Sequence, residues 1–129
     1  MPITALVAAL LAPLYILLTF RVINLRRSAR VAIGDGGDTA LVRRMRVHAN
    51  FAENVPYALI LMGLAEGLGS PRKNLYAIGA CLVIGRLSHA YGVSQAKETF
   101  AFRASGMILT FAAILNAAIT CALLAYSRM

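Results

Sequence analysis

The chain has 129 residues, 60% of them apolar, with no Trp, two Cys and a formal net charge of +8. Soluble domains are typically about 45–50% apolar. The excess here collects in blocks of membrane-crossing length, which excludes a separate soluble domain. The positive charge does not signal nucleic acid, because it is concentrated in the connections between the apolar blocks rather than along one face.

The first block runs from Ile3 to about Ile23 and contains Pro13, whose freed carbonyl neighbouring helices can satisfy. Its positive charges follow the apolar run instead of preceding it, an order that fits a membrane anchor better than a cleaved signal sequence. A basic connection follows, with Arg26, Arg27, Arg30, Arg43, Arg44 and Arg46 in or beside it. Within it Gly34, Asp35, Gly36, Gly37 and Asp38 read as a turn, since Gly supplies positive backbone angles and Asp caps a following helix. Two carboxylates fall well short of a calcium-loop pattern, so no metal is expected there.

The second helix is expected to begin near Thr39, with its apolar span from about Val47 to Gly69 and a kink at Pro56. Gly69, Ser70 and Pro71 close it. The third block, about Asn74 to Val93, ends in the sequence Gly85-Arg86-Leu87-Ser88-His89, where Arg86 and His89 share a helical face. Gln95 to Phe102 forms the third connection, and the fourth block runs from about Ala104 to Tyr126, opened by Arg103. Ala112, Ala113, Ala117 and Ala118 on it permit close helix approach. Each block holds roughly the 20 residues needed to cross a hydrocarbon core of about 30 Å. The expected fold is therefore all-α: one integral membrane four-helix bundle spanning residues 1–129. Cys81 and Cys121 fall mid-span without metal-ligand spacing and read as packing residues.

The asymmetry of charge predicts topology. The first connection and the Lys97–Arg103 region are basic, whereas the second connection carries only Arg72 and Lys73 and the C-terminus only Arg128. The positive-inside rule places connections one and three in the cytoplasm and both termini outside. Much of this arginine also serves attraction to anionic lipid.

One stripe does not fit a bare apolar helix. Steps of four and three residues put Arg46, Asn50 and Glu53 on one face of the second helix. Ionisable groups at membrane depth usually face a bundle interior and mark a functional site. Arg26, Arg46, Asn50, Glu53, Arg86, His89 and Arg103 all fall toward the cytoplasmic end, and most are positive. Arginine forks suit a ligand with several carboxylates, leaving Glu53 for an ammonium. The residues also allow an internal Glu53–Arg46 or Glu53–Arg86 pair that merely neutralises buried charge.

The pattern Arg46-x-His48-x-Asn50-x-x-Glu53-x-x-Pro56, followed by Gly85-Arg86-x-x-His89, resembles the MAPEG family, the membrane-associated proteins of eicosanoid and glutathione metabolism. Arg30-Val31-Ala32 with Gly34-Asp35-Gly36-Gly37 is similar to the family's bacterial inner-membrane branch. The resemblance implies a homotrimer holding glutathione between protomers near the cytoplasmic face. It assigns Arg26, Arg46, Asn50, Glu53, Arg86 and His89 to glutathione binding and Arg103 to lowering the thiol pKa. Phe51, Leu109 and Phe111 would line a groove for a lipophilic substrate. The chain departs from active members at Val93, where they often carry Tyr, and at Ala104 and Met107. Two functions follow: a glutathione-dependent transferase or peroxidase, or a non-catalytic trimeric scaffold binding lipid or a small anion. A transporter is disfavoured by the lack of an inverted repeat.

Overall fold

The computed structural model describes residues 1–95 and 99–129, so Lys97 of the third connection lies outside the described residues. Four helices follow one another: α1 (Pro2–Ala29), α2 (Thr39–Gly67), α3 (Arg72–Ser94) and α4 (Phe100–Tyr126). They run up and down. Glu66 near the end of α2 accepts hydrogen bonds from the backbone N–H groups of Ile3 and Thr4, at 2.9 and 2.8 Å, and from the Thr4 hydroxyl at 2.7 Å. The carboxylate thereby satisfies donors left open at the start of α1. Arg128 donates to the Leu68 carbonyl at 2.6 Å. Both termini and the α2–α3 turn therefore share one end, and the first connection shares the opposite end with the end of α3 and the start of α4.

The centre of the bundle is the α2–α3 pair. Each of these helices packs against all three others, whereas α1 and α4 flank them without touching each other. The α3–α4 contact is the most extensive, and glycine makes it possible. A Cβ built on Gly106 would lie 2.5 Å from the His89 backbone nitrogen and 2.7 Å from the Gly85 carbonyl oxygen. A Cβ on Gly92 would lie 2.6 Å from the Arg103 nitrogen. Of the four alanines expected to permit close approach, Ala113 and Ala117 are fully buried, Ala118 is half-buried, and Ala112 is exposed, because it lies on the outward face of α4.

The surface is what marks the bundle as a membrane protein. Leu6, Leu10 and Phe20 on α1 and Ile108, Leu115 and Leu123 on α4 are each more than half exposed. Soluble monomers rarely display apolar surface on this scale. By length and composition α1 and α4 can each cross a membrane. Helices α2 and α3 also turn Ile60, Leu64, Ile84 and Leu87 outward.

The helix ends show where sequence logic held and where it slipped. Asp38 caps α2 by accepting from the Ala40 and Leu41 N–H groups at 2.8 and 3.2 Å, as expected for a start at Thr39. Helix α1 runs to Ala29, six residues beyond Ile23, because polar Asn24, Arg26 and Arg27 prolong it past its apolar part, and Arg30 caps it in the left-handed region, φ 54°. Helix α4 begins at Phe100, before the expected opening at Arg103.

Candidate functional site

Helix α2 buries Val47, Phe51, Val55, Ala58 and Met62, a run in steps of four and three residues. Arg46 and Asn50 each sit one residue ahead of a position in that run, which rotates them about 100° around the helix, and Glu53, two residues ahead of Val55, lies farther round still. The expectation that the stripe faces the bundle interior is thereby corrected. Arg46 and Glu53 are exposed on the single chain, and Asn50, nearest the core edge, is half-buried. Phe51 is corrected by the same reasoning. It is 5% exposed and packs in the core against Tyr15, with ring centroids 5.8 Å apart, instead of lining a lipid-side groove.

Asn50 is held from behind. Arg86, 1% exposed on α3, donates from Nη1 to Asn50 Oδ1 at 2.7 Å. Its Nη2 meets the Gly106 carbonyl at 3.5 Å and Met107 Sδ at 3.4 Å. None of these partners is acidic, so the Glu53–Arg86 pair does not form. Nε of Arg86 has no partner among the described residues. A buried guanidinium held by an amide, a carbonyl and a thioether retains its whole positive charge. That charge lies directly beneath Asn50.

Above it opens a cleft of about 170 Å³, lined by Arg43, Arg46 and Asn50 of α2, His89 and Val93 of α3, and Arg103 of α4. Four of the seven sequence-derived residues thus meet there: Arg46, Asn50, His89 and Arg103. Arg86 reaches it through Asn50. Glu53 stands about one turn along the exposed face of α2, outside the lining, and Arg26 is at the α1–α2 corner. Arg26 donates there to the Ala32 carbonyl and to Met45 Sδ, each at 3.3 Å.

Arg43, a topological charge on the sequence reading like Arg27, Arg30 and Arg44, also lines the cleft. Its spacing from Arg46 and Asn50, three and then four residues, already put it on their face. Val93 forms part of the cleft wall and is 8% exposed. Tyr91 points away, packed edge-on against Phe102 with centroids 5.3 Å apart.

Fold and site together define a small four-helix membrane bundle with a cation-lined cleft at the end that carries its basic first connection. The MAPEG family pattern matches residues 4–123, and the chain belongs to that family. It is 39% identical over 113 residues to inner membrane protein YecN of Escherichia coli strain K12, covering 88% of this chain and 85% of the relative. The YecN of Escherichia coli O6:H1 matches to the same extent.

Proposed function

We propose that the chain is a glutathione-dependent transferase or peroxidase of the bacterial inner membrane, with all four helices crossing the bilayer, and that it works as a homotrimer on lipophilic electrophiles. The observation that carries this reading is the meeting of Arg46, Asn50, His89 and Arg103 on one cleft, in a member of a family named for glutathione metabolism. Glutathione offers two carboxylates to the arginines, and carboxylates are the anions their forks bind bidentately. Ligand pockets usually measure about 300–1,000 Å³. The 170 Å³ cleft would hold part of the tripeptide, the remainder resting against a neighbouring protomer.

Glu53 supports the assembly. An exposed carboxylate midway along a 29-residue helix is costly against lipid. A neighbouring protomer or the ammonium of glutathione would cover it, and Arg26 would serve the site from an adjacent chain. Arg103 would favour thiolate over thiol, and the thiolate is the nucleophile. In transfer the thiol proton leaves to solvent and sulfur forms a bond to the electrophilic carbon. A leaving group, where present, departs with its bonding electron pair; otherwise the carbon's π bond or epoxide C–O bond breaks and the resulting anion takes a proton from solvent. With a lipid hydroperoxide, two glutathione thiols are oxidised to one disulfide while the O–O bond is reduced to an alcohol and water.

The second reading is a non-catalytic trimer that binds lipid or a small anion. It is favoured by Val93, which fills the cleft wall where active relatives often carry a tyrosine. Thermal melts with and without millimolar glutathione separate the two. A stabilising shift in the wild type, weakened roughly tenfold to hundredfold in affinity by Arg46→Ala or Glu53→Gln, supports the enzyme. Loss of a buried charge-assisted contact is worth about 1.5–3 kcal/mol, and about 1.4 kcal/mol is tenfold. No shift in the wild type refutes glutathione and leaves the scaffold.

A further inference from the structure

Arg86 leaves part of its hydrogen-bonding capacity unused. It is 1% exposed, and its Nε has no partner among the described residues. Nε and Nη2 form one edge of the planar fork. Nη2 meets Met107 Sδ at 3.4 Å and the Gly106 carbonyl at 3.5 Å. The carbonyl contact is longer than the roughly 2.7–3.2 Å usual for N–H···O, and a thioether is a weak acceptor. Buried donors normally find a full acceptor. This edge is short of an oxygen, and the atom beside it is a sulfur that can acquire one.

Met107 is placed to meet an oxidant from the bilayer. It is half-buried, one helical turn beyond Arg103 on α4. Ile108 next to it, and Phe111 one turn further along its own face, are both more than half exposed. Met62, by contrast, is 0% exposed in the core. Met45 also accepts from a guanidinium, Arg26 Nη2 at 3.3 Å, but Arg26 is only half-buried and has less need of a new acceptor.

We propose that Met107 is an oxidation site that takes one oxygen from a lipid hydroperoxide, the sulfoxide oxygen being received by the Nε–Nη2 edge of Arg86. The sulfur lone pair attacks the terminal peroxide oxygen, and an S–O bond forms as the O–O bond breaks. The hydroxyl proton passes to the departing alkoxide. Sulfur is oxidised to the sulfoxide and the peroxide is reduced to an alcohol. In an apolar core such a sulfoxide is disruptive, because its polar oxygen is buried without a donor. Here a cationic donor already touches the sulfur. The bond from Arg86 to Asn50 uses the other terminal nitrogen, Nη1, so the sulfoxide need not displace it. The step requires no glutathione and is compatible with either function proposed above.

The purified full chain in detergent is treated with cumene hydroperoxide or with hydrogen peroxide. Peptide-mapping mass spectrometry follows each methionine, and thermal melts are recorded before and after. Met107 is expected to gain one oxygen while Met62 stays reduced. The ratio of oxidation at Met107 to that at exposed Met129 should be several-fold higher with cumene hydroperoxide. Oxidation should leave Tm unchanged or raised, measured against an equally treated Met107→Leu. Without any oxidant, Met107→Gln, which brings an amide oxygen to the same edge, should melt above Met107→Leu. Should the leucine variant not fold, Met107→Gln melting no lower than the wild type carries the acceptor test. The proposal is overturned if Met107 stays reduced when Met1 and Met129 are fully oxidised, or if oxidation lowers Tm in the wild type and not in Met107→Leu. Equal oxidation ratios with the two peroxides overturn the lipid source, and a glutamine variant less stable than both others overturns the role of Arg86. A failed glutathione shift leaves these readouts untouched.

Discussion

Arg86 Nη1 donates to Asn50 Oδ1 at 2.7 Å, and this bond joins the buried charge of α3 to the cleft face of α2. Asn50 is therefore a positioning residue for the guanidinium as well as a wall of the cleft. Asn50→Leu should lower stability by about 1.5–3 kcal/mol, the range for a lost hydrogen bond to a charged group, and Asn50→Asp should not. Detergent-phase thermal melts of the two variants check this. Equal destabilisation by both would show that the side chain's shape matters and its acceptor does not.

Glycine at position 106 is required by the α3–α4 crossing. The obstacles to a Cβ are the His89 nitrogen and the Gly85 oxygen, both backbone, so neither can rotate aside. Gly106→Ala should cost about 1–3 kcal/mol, as overpacking usually does. It should also move the first turn of α4, and Arg103 with it. Gly67→Ala serves as the control, since its Cβ would meet only the end of the Met1 side chain at 3.5 Å. A melt in which both variants match the wild type would contradict the close crossing.

Much of the fold was legible because membrane helices declare themselves by length and apolarity, and because Asp38, Gly69 and Pro71 punctuate the chain. The start of α4 was harder to read: Thr99 caps it without a side-chain hydrogen bond, so the sequence holds no strong signal at that end. The stripe of Arg46, Asn50 and Glu53 was correctly grouped on one face but assigned to the wrong side of the helix. Spacing fixes which residues align, and only the competing apolar track of Val47, Phe51 and Val55 decides which face turns inward. Arg21 was hidden inside an apolar block. Its partner Ser94 is 73 residues away, a contact that no local pattern announces.

The antiparallel arrangement gives the charge asymmetry a direct test. Both termini and the α2–α3 turn share one end through the contacts of Glu66 and Arg128, and the opposite end carries Arg26, Arg27, Arg30, Arg43 and Arg44. By the positive-inside rule the basic end is expected in the cytoplasm and both termini outside. Alkaline phosphatase fused after Met129, active only when exported, should be active. Green fluorescent protein at the same position, which fluoresces when kept inside, should be dark. The reverse pair of results would invert the topology.

On the proposed function, substitutions at Arg103 should separate catalysis from binding. Arg103 closes the first turn of α4, where its N–H bonds to the Thr99 carbonyl at 3.2 Å, and its side chain is exposed at the cleft. A cation beside a thiol favours the thiolate, so removing it raises the thiol pKa. A rise of one unit corresponds to about 1.36 kcal/mol and, well below the pKa, to about a tenfold smaller thiolate fraction. Arg103→Ala should therefore lower turnover and shift the thiolate absorbance titration of bound glutathione upward in pH, while Kd changes much less. Arg103→Lys should restore the titration, because it keeps the charge, though not the fork geometry. Were Arg103 only a binding contact, the alanine variant would raise Kd with the thiol titration unmoved. Were it only a brace for the α3–α4 end, both variants would lower Tm alike without glutathione. The three outcomes differ in which of titration, affinity and stability responds, and the proposed role requires the titration to respond most.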